Sequence, residues 1–317
     1  MKLELIINPI SGTSTKEGLA ELAARILHDH ELHVSYTTCA GDATRLARKA
    51  VDEGYQGVIA AGGDGTINET AVALCDTGVP MGIVPCGSGN GLARHLGIPI
   101  DVKLALQIVA ELHVVNADYG TVNGDPFFCT FGVGFDAAVS HRFARQRHRG
   151  KLTYIRSAIS EYISYHPQTY TISANGQILT EKAFLVTVCN ASQYGNNAYI
   201  APEASITDGL LDVTVVHAGT PLDTAVLGVD MFMGFINRNT MIHTFKTPAA
   251  VIYRQHDGPA HIDGEPVNLD DIMDVRCHKG GIALFAPTVK SAFRPVITPF
   301  RAFINDLGLS LKHLVKG

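Results

Sequence analysis

The sequence predicts an α/β protein in two parts, a parallel sheet covered by helices on both faces and then a mainly antiparallel β region. Three observations carry this. Strand-like and helix-like segments alternate through residues 1–111, the texture turns to short apolar runs joined by Asn-Gly dipeptides from residue 112, and 317 residues are long for one core. The expected division is an α/β nucleotide domain at 1–111, a β-sandwich domain at 112–287 and an amphipathic carboxyl-terminal helix at 288–317.

The first strand, Leu3-Glu4-Leu5-Ile6-Ile7, runs into the small and polar turn Asn8-Pro9-Ile10-Ser11-Gly12. Leu19, Leu22, Ala23, Ile26 and Leu27 then recur at helical spacing before a second strand, Leu32 to Tyr36. A helix follows from Asp42 with Leu46, Ala47 and Ala50 on one face. The third strand, Gly57 to Ala61, has no polar side chain, as expected of a strand covered on both sides. It closes on Gly62-Gly63-Asp64-Gly65-Thr66, and Ile67 to Val72 begin a helical pattern. The fourth strand, Met81 to Val84, enters Pro85-Cys86-Gly87-Ser88-Gly89-Asn90-Gly91.

Beyond residue 112, Val114 to Val122 and Pro126 to Val133 flank Asn123-Gly124, and Tyr170 to Ala174 and Gln177 to Thr180 flank Asn175-Gly176; each pair reads as a hairpin. Further strands are expected at Phe184 to Val188, Leu211 to Val216, Ala250 to Tyr253, Met273 to Arg276 and Ile282 to Phe285. Helical inserts are expected around 136–148, 152–165 and 221–237.

Composition narrows the function classes. The net charge of -5 argues against a nucleic-acid partner, which calls for a basic excess. Six cysteines are scattered without a Cys-x-x-Cys pair, and neither an apolar leader nor a run of about 18 apolar residues appears, so a cytoplasmic protein with reduced thiols is expected.

Three strands thus end in loops suited to phosphate. In a parallel sheet such loops gather at the carboxyl edge, where ligands of open α/β folds bind. Glycines let the backbone approach a ligand, and the open amides of a helix start attract an anion. Asp64 would repel that anion unless it holds a cation or handles a proton, which points to metal-assisted phosphoryl transfer. The competing reading of these glycines is a tight turn after a buried strand.

Gly62 to Thr66, Pro85 to Ala93, Phe131-Gly132-Val133-Gly134-Phe135-Asp136, Thr207-Asp208-Gly209-Leu210-Leu211-Asp212 and Ile262-Asp263-Gly264-Glu265 together resemble, in order and spacing, the diacylglycerol and sphingosine kinase family. The resemblance implies an NAD kinase-like, Rossmann-type nucleotide domain, a β-sandwich lipid domain and an active site between them. It implies ATP bound by Asn8, Thr37, Gly62, Gly63, Asp64, Gly65, Thr66, Asn68, Glu69 and Ser88, with magnesium (Mg2+) as cofactor. Glu265 would accept the proton of a lipid hydroxyl, with Asp263 orienting it or binding magnesium, and Asp64 competes for both roles. A structural magnesium is implied at Ser205, Asp208 and Leu210, the first and last through main-chain carbonyls. Ser88 and Gly91 stand where many bacterial diacylglycerol kinases have Thr and Asp, a departure closer to sphingosine kinases that leaves the acceptor open among diacylglycerol, a sphingoid base, a ceramide-like lipid and phosphatidylglycerol. Asp263-Gly264 and Asp208-Gly209 also read simply as turns.

The implied partner is a lipid at the inner face of a membrane, met peripherally, and an uncovered strand edge leaves a homodimer open. The basic run His141 to Lys151 is either a headgroup contact or a solvated face. Phe300, Phe303, Ile304, Leu307, Leu311 and Leu314 recur at helical spacing, the mark of an interfacial helix or of one packed back on a domain. Two other functions compete: an NAD kinase, whose family shares Gly-Gly-Asp-Gly-Thr, and a lipid- or nucleotide-binding protein without catalysis.

Overall fold

The computed structural model of the chain describes residues 1–11, 18–144, 165–288 and 293–316. Its first third follows β1 (Lys2–Ile7), α1 (Leu19–Ile26), β2 (Glu31–Tyr36), α2 (Asp42–Asp52), β3 (Gly57–Gly62), α3 (Asp64–Leu74), β4 (Met81–Pro85), α4 (Gly91–Leu96) and α5 (Val102–Ala110). The strands lie in the order β2-β1-β3-β4, all parallel. Every residue of β3 and β4 is buried, which explains their unbroken apolar character. Ala43, Ala47 and Ala50 bring α2 close to the sheet because they carry no bulk on the inner face.

Then come β5 (Val114–Val122), β6 (Asp125–Phe127), β7 (Thr130–Gly134), α6 (Phe135–Ala144), β8 (Gln168–Ala174), β9 (Gln177–Cys189), β10 (Leu211–His217), α7 (Pro221–Met233), β11 (Ile242–Thr247), β12 (Ala249–Arg254), β13 (Gly258–Ile262), β14 (Glu265–Leu269), β15 (Ile272–Phe285) and α8 (Ile297–Lys316). The pairing within this part is antiparallel, and Phe131, Val133, Tyr170, Ile172, Val186, Val213, Ile252 and Met273 form its core. The fold is the expected α/β layer joined to a β-sandwich.

Several strand assignments differ from the pattern reading, which also did not name β13 and β14 as strands. Gln177 to Thr180 and Phe184 to Val188 are one strand, β9, which pairs with β8 along its first half and with β7 and β10 along its second. Met273 to Arg276 and Ile282 to Phe285 are also one strand, β15, whose register against β5 shifts between His278 and Ile282, where Gly280 takes a φ of 64°. Pro126 to Val133 instead splits into β6 and β7, because Phe128 and Cys129 turn their amides to a carboxylate described below. β11 escaped notice because it pairs only with β10 and carries His243, Thr244 and Lys246.

β15 joins the two cores. Leu284 pairs with Met81 of β4, and Ile282, Leu284 and Phe285 are buried with Leu3, Leu5 and Ile59 in the first core. The expected helix at 152–165 and the part of the basic run from 145 to 151 lie outside the described residues.

Candidate active site

α3 begins where β3 ends. Its N-cap, Gly63, is extended, and no side chain caps the helix, so the amides of its first turn are available to an anion. A Cβ on Gly62 would stand 2.5 Å from the Thr66 side chain, and one on Gly87 would stand 2.7 Å from the Cα of Gly63. The two glycine-rich loops therefore touch backbone to backbone at Gly87, where a Cβ would have no room.

Asp64 fastens them together. Its Oδ2 accepts the amide of Asn90 at 2.9 Å and its Oδ1 the amide of Gly91 at 2.8 Å. A Cβ on Gly89 would lie 2.6 Å from the same carboxylate. Asn90, at φ 52°, closes its own loop by accepting from the Gly87 amide and donating to the Gly87 carbonyl.

Asn8 donates through Nδ2 to Thr66 Oγ1 at 2.9 Å, so the β1 loop meets the start of α3. Thr37 is buried at the end of β2 with its amide on the Ile7 carbonyl, whereas Ser88 is exposed at the tip of the second loop. The carboxylate of Glu69 turns elsewhere: it accepts the amides of Gly41 at 2.9 Å and Ala43 at 3.2 Å, acting as the acidic cap of α2.

Asn68 reaches across to the sandwich, donating to Asp263 Oδ2 at 2.7 Å. The same carboxylate accepts the amides of Phe128 at 2.8 Å, Cys129 at 2.7 Å and Thr130 at 2.9 Å. Burial pushes the Asp263 carboxyl above the ordinary aspartate range, and these donors oppose the rise. Asp263 at φ 49° and Gly264 at φ 84° form the turn between β13 and β14, so the dipeptide is a hairpin turn and an inter-lobe clamp at once. Glu265, the first residue of β14, is exposed and has no hydrogen-bonding or ionic partner among the described residues.

Because residues four apart share a helix face, Asn68 and Asp64 lie on one side of α3. The clamp thus brings the Asp263-Gly264-Glu265 hairpin to the helix whose first turn opens between the glycine loops. Of the three acidic candidates, Asp64 and Asp263 are spent on backbone amides and Glu265 is uncommitted.

The loop at Ser205, Asp208 and Leu210 is arranged differently. Asp208 Oδ2 pairs with Lys246 at 3.0 Å and Oδ1 accepts the Leu210 amide at 3.0 Å, while Ser205 Oγ meets Thr207 Oγ1 at 3.3 Å. Asp118 supports the turn by accepting the amides of Gly209 and Gly280. Among the described residues no three His, Cys, Asp or Glu side chains cluster as metal ligands. A hard cation here would rest on Asp208 and main-chain oxygens and would share Asp208 with an ammonium.

Pattern reading missed two groups. Arg94 donates through Nε to the Gly89 carbonyl at 3.0 Å, through one terminal nitrogen to Asn197 Oδ1 at 3.3 Å, and through the other to both oxygens of Asp306 at 3.1 and 2.9 Å. Buried Asp136 accepts from Thr187 Oγ1 at 2.7 Å, Tyr194 OH at 3.0 Å and the Ala137 amide at 2.8 Å, with His261 Nε2 at 3.1 Å. The second group had a signal in Gly132, where a Cβ would collide with Asp136 and His261. The first had none, since its partners are a carbonyl and two distant side chains.

Comparison with known proteins bears on the family and the fold. Residues 2–122 match the diacylglycerol kinase catalytic domain, and residues 129–276 match the YegS C-terminal NAD kinase beta sandwich-like domain. A diacylglycerol kinase of Bacillus subtilis is 31% identical over 222 residues, covering 68% of this chain and 73% of that protein. One of Mycobacterium tuberculosis is 30% identical over 243 residues, covering 74% and 79%. The fold matches the crystal structure of a diacylglycerol kinase from Bacillus anthracis with a TM-score of 0.71 at 20% identity, over 90% of this chain and 97% of that one. Two contiguous family matches that span both sides of the Asn68–Asp263 clamp, with relatives aligned over most of their length, place the chain in the diacylglycerol kinase family of lipid kinases.

Proposed function

We propose that the protein transfers the γ-phosphoryl group of magnesium-bound ATP to the primary hydroxyl of a lipid, a diacylglycerol or a sphingoid-type lipid, at the inner membrane face. The observation that supports this is the hydrogen bond from Asn68 to Asp263, which ties to α3 the hairpin bearing Glu265, the uncommitted one of the three acidic candidates. The first turn of α3 and the facing loop at Gly87 to Gly91 supply amides and a positive helix end for the triphosphate. Magnesium travels with the nucleotide and offsets its charge. Glu265 takes the hydroxyl proton as the lipid oxygen bonds to phosphorus and the bond to the ADP oxygen breaks. A loose transition state asks little of a base until late, so positioning by the two loops supplies most of the acceleration.

The test is incubation of the purified chain with labelled ATP, magnesium and a panel of diacylglycerol, sphingosine, ceramide, phosphatidylglycerol and NAD. A phosphorylated lipid is expected with magnesium and none in chelator. Turnover of NAD without a lipid product overturns the proposal, and lipid turnover in chelator removes the metal from it.

Gly63→Ala tests the nucleotide loop. At φ -85° alanine is unstrained, and its Cβ would meet nothing closer than Gly87 Cα at 3.5 Å. The fold should therefore persist while the added methyl stands between backbone and phosphate. Calorimetry should show ATP affinity lowered about tenfold, ~1.4 kcal/mol; unchanged affinity in the folded variant refutes the loop assignment.

A further inference from the structure

The pattern left open which way α8 faces, and its described side chains answer this as far as Asp306. The side it turns inward carries Pro299, Ala302 and Asp306, while Phe300, Phe303 and Ile304 face outward, Phe300 at 63% exposure. α7 does the same, with Leu227 buried and Leu222, Val226, Val229 and Phe232 outward, Leu222 at 73%. The two outward faces are continuous at one end: the Val296 amide donates to the Met233 carbonyl at 2.8 Å, and α7 packs against α8. Single exposed apolar side chains are ordinary on a monomer, but two adjoining helices that each turn three or more large apolar side chains outward are not.

We propose that these faces form one docking surface for an anionic lipid bilayer, on which the protein sits while it works. This rests on the lipid-kinase reading above, which puts the acceptor in a bilayer. Charge selects the occupant. Arg301 shares an apolar hollow with Ile297, Phe300 and Ile304, Arg294 is exposed beside it, and neither arginine has an acidic partner among the described residues. Of the neighbouring acids, Asp306 is neutralised by Arg94, whereas Asp230, bonded to Asn239, and Asp223, in the capping box of α7, keep their charge, so the cationic part of the face is the α8 end. At its α8 end the face therefore offers aromatic and aliphatic side chains edged with the guanidinium groups of Arg294 and Arg301, the composition of an interfacial element, and α7 adds apolar area. No described helix is long and apolar enough to cross a membrane, so the contact is parallel to the surface.

The surface is also tied to the site. Asp306 of α8 holds Arg94, which holds the Gly89 carbonyl, and the adjoining amides of Asn90 and Gly91 hold Asp64. The Phe293 ring packs tilted against Tyr199 with centroids 4.8 Å apart, and the loop before Tyr199 meets Gly89 through the Asn196 amide. A bilayer under α7 and α8 is thus held at a set position relative to the glycine loops.

The test compares the full chain with Phe300→Ser/Phe303→Ser and Leu222→Ser/Phe232→Ser in sedimentation with phosphatidylglycerol–phosphatidylcholine vesicles. Phosphorylation of a short-chain, monomeric diacylglycerol is measured in parallel. Each double variant should lose about tenfold or more in vesicle binding while turnover of the monomeric lipid stays within about twofold. Arg294→Gln/Arg301→Gln should weaken binding to these vesicles and leave binding to pure phosphatidylcholine unchanged. Vesicle binding that equals wild type in both apolar variants overturns the proposal, as does a wild-type dimer that the same substitutions dissociate. Failure of the kinase reading appears separately, as no product from any lipid while vesicle binding still responds.

Discussion

Glu265→Gln is expected to lower turnover by about 10²- to 10⁴-fold, the usual contribution of a positioned base. Its stability in urea should stay within about 0.5 kcal/mol of wild type, because an exposed side chain without partners contributes little to folding. The substitution keeps size and shape and removes only proton acceptance. ATP affinity should also be preserved, since the proposed triphosphate site is made of backbone amides of other segments. Single-turnover kinetics beside nucleotide titration checks this, and a variant that phosphorylates lipid at the wild-type rate removes Glu265 from the chemistry.

Asp263→Ala has the second large effect, of another kind. Its loss leaves the amides of Phe128, Cys129 and Thr130 and the Asn68 side chain without their acceptor. Unmet buried donors cost about 1–3 kcal/mol each before relaxation, so a loss of about 4 kcal/mol is expected in urea unfolding. Turnover falls as well, because the hairpin bearing Glu265 loses its tie to α3. The pair of variants separates the roles: one loses rate without stability, the other loses both. An Asp263→Ala protein as stable as wild type would show that the clamp is not closed in solution.

The contrast bears on how much was legible in the sequence. The run from Gly57 to Val72 showed strand, loop and helix start because backbone demands are local: an apolar strand, residues without Cβ, then helical spacing. Asn123-Gly124 and Asn175-Gly176 marked hairpins for the same reason. The roles of the acids were not legible, since Asp64, Glu69 and Asp263 look alike as residue types and differ only in whose amides they accept. Those donors come from residues 90 and 91, 41 and 43, and 128 to 130, brought together only by the fold. Periodicity likewise showed that α8 has an apolar stripe without showing which way it faces. Arg94 was invisible because nothing in its neighbourhood announces a bond to Asp306.

The long strand β15 has a bearing on how the chain comes to be folded at all. Ile282, Leu284 and Phe285 complete a core built mostly from the first 120 residues, joined by Phe128 and Ile206, and Leu284 covers the free edge of β4. A polypeptide emerging from the ribosome amino end first therefore holds an unfinished nucleotide half until residue 285 has been made. Contacts separated by some two hundred residues close slowly, because the intervening chain must be ordered before they repay its entropy. The last of the described strands is the one that seals the first layer.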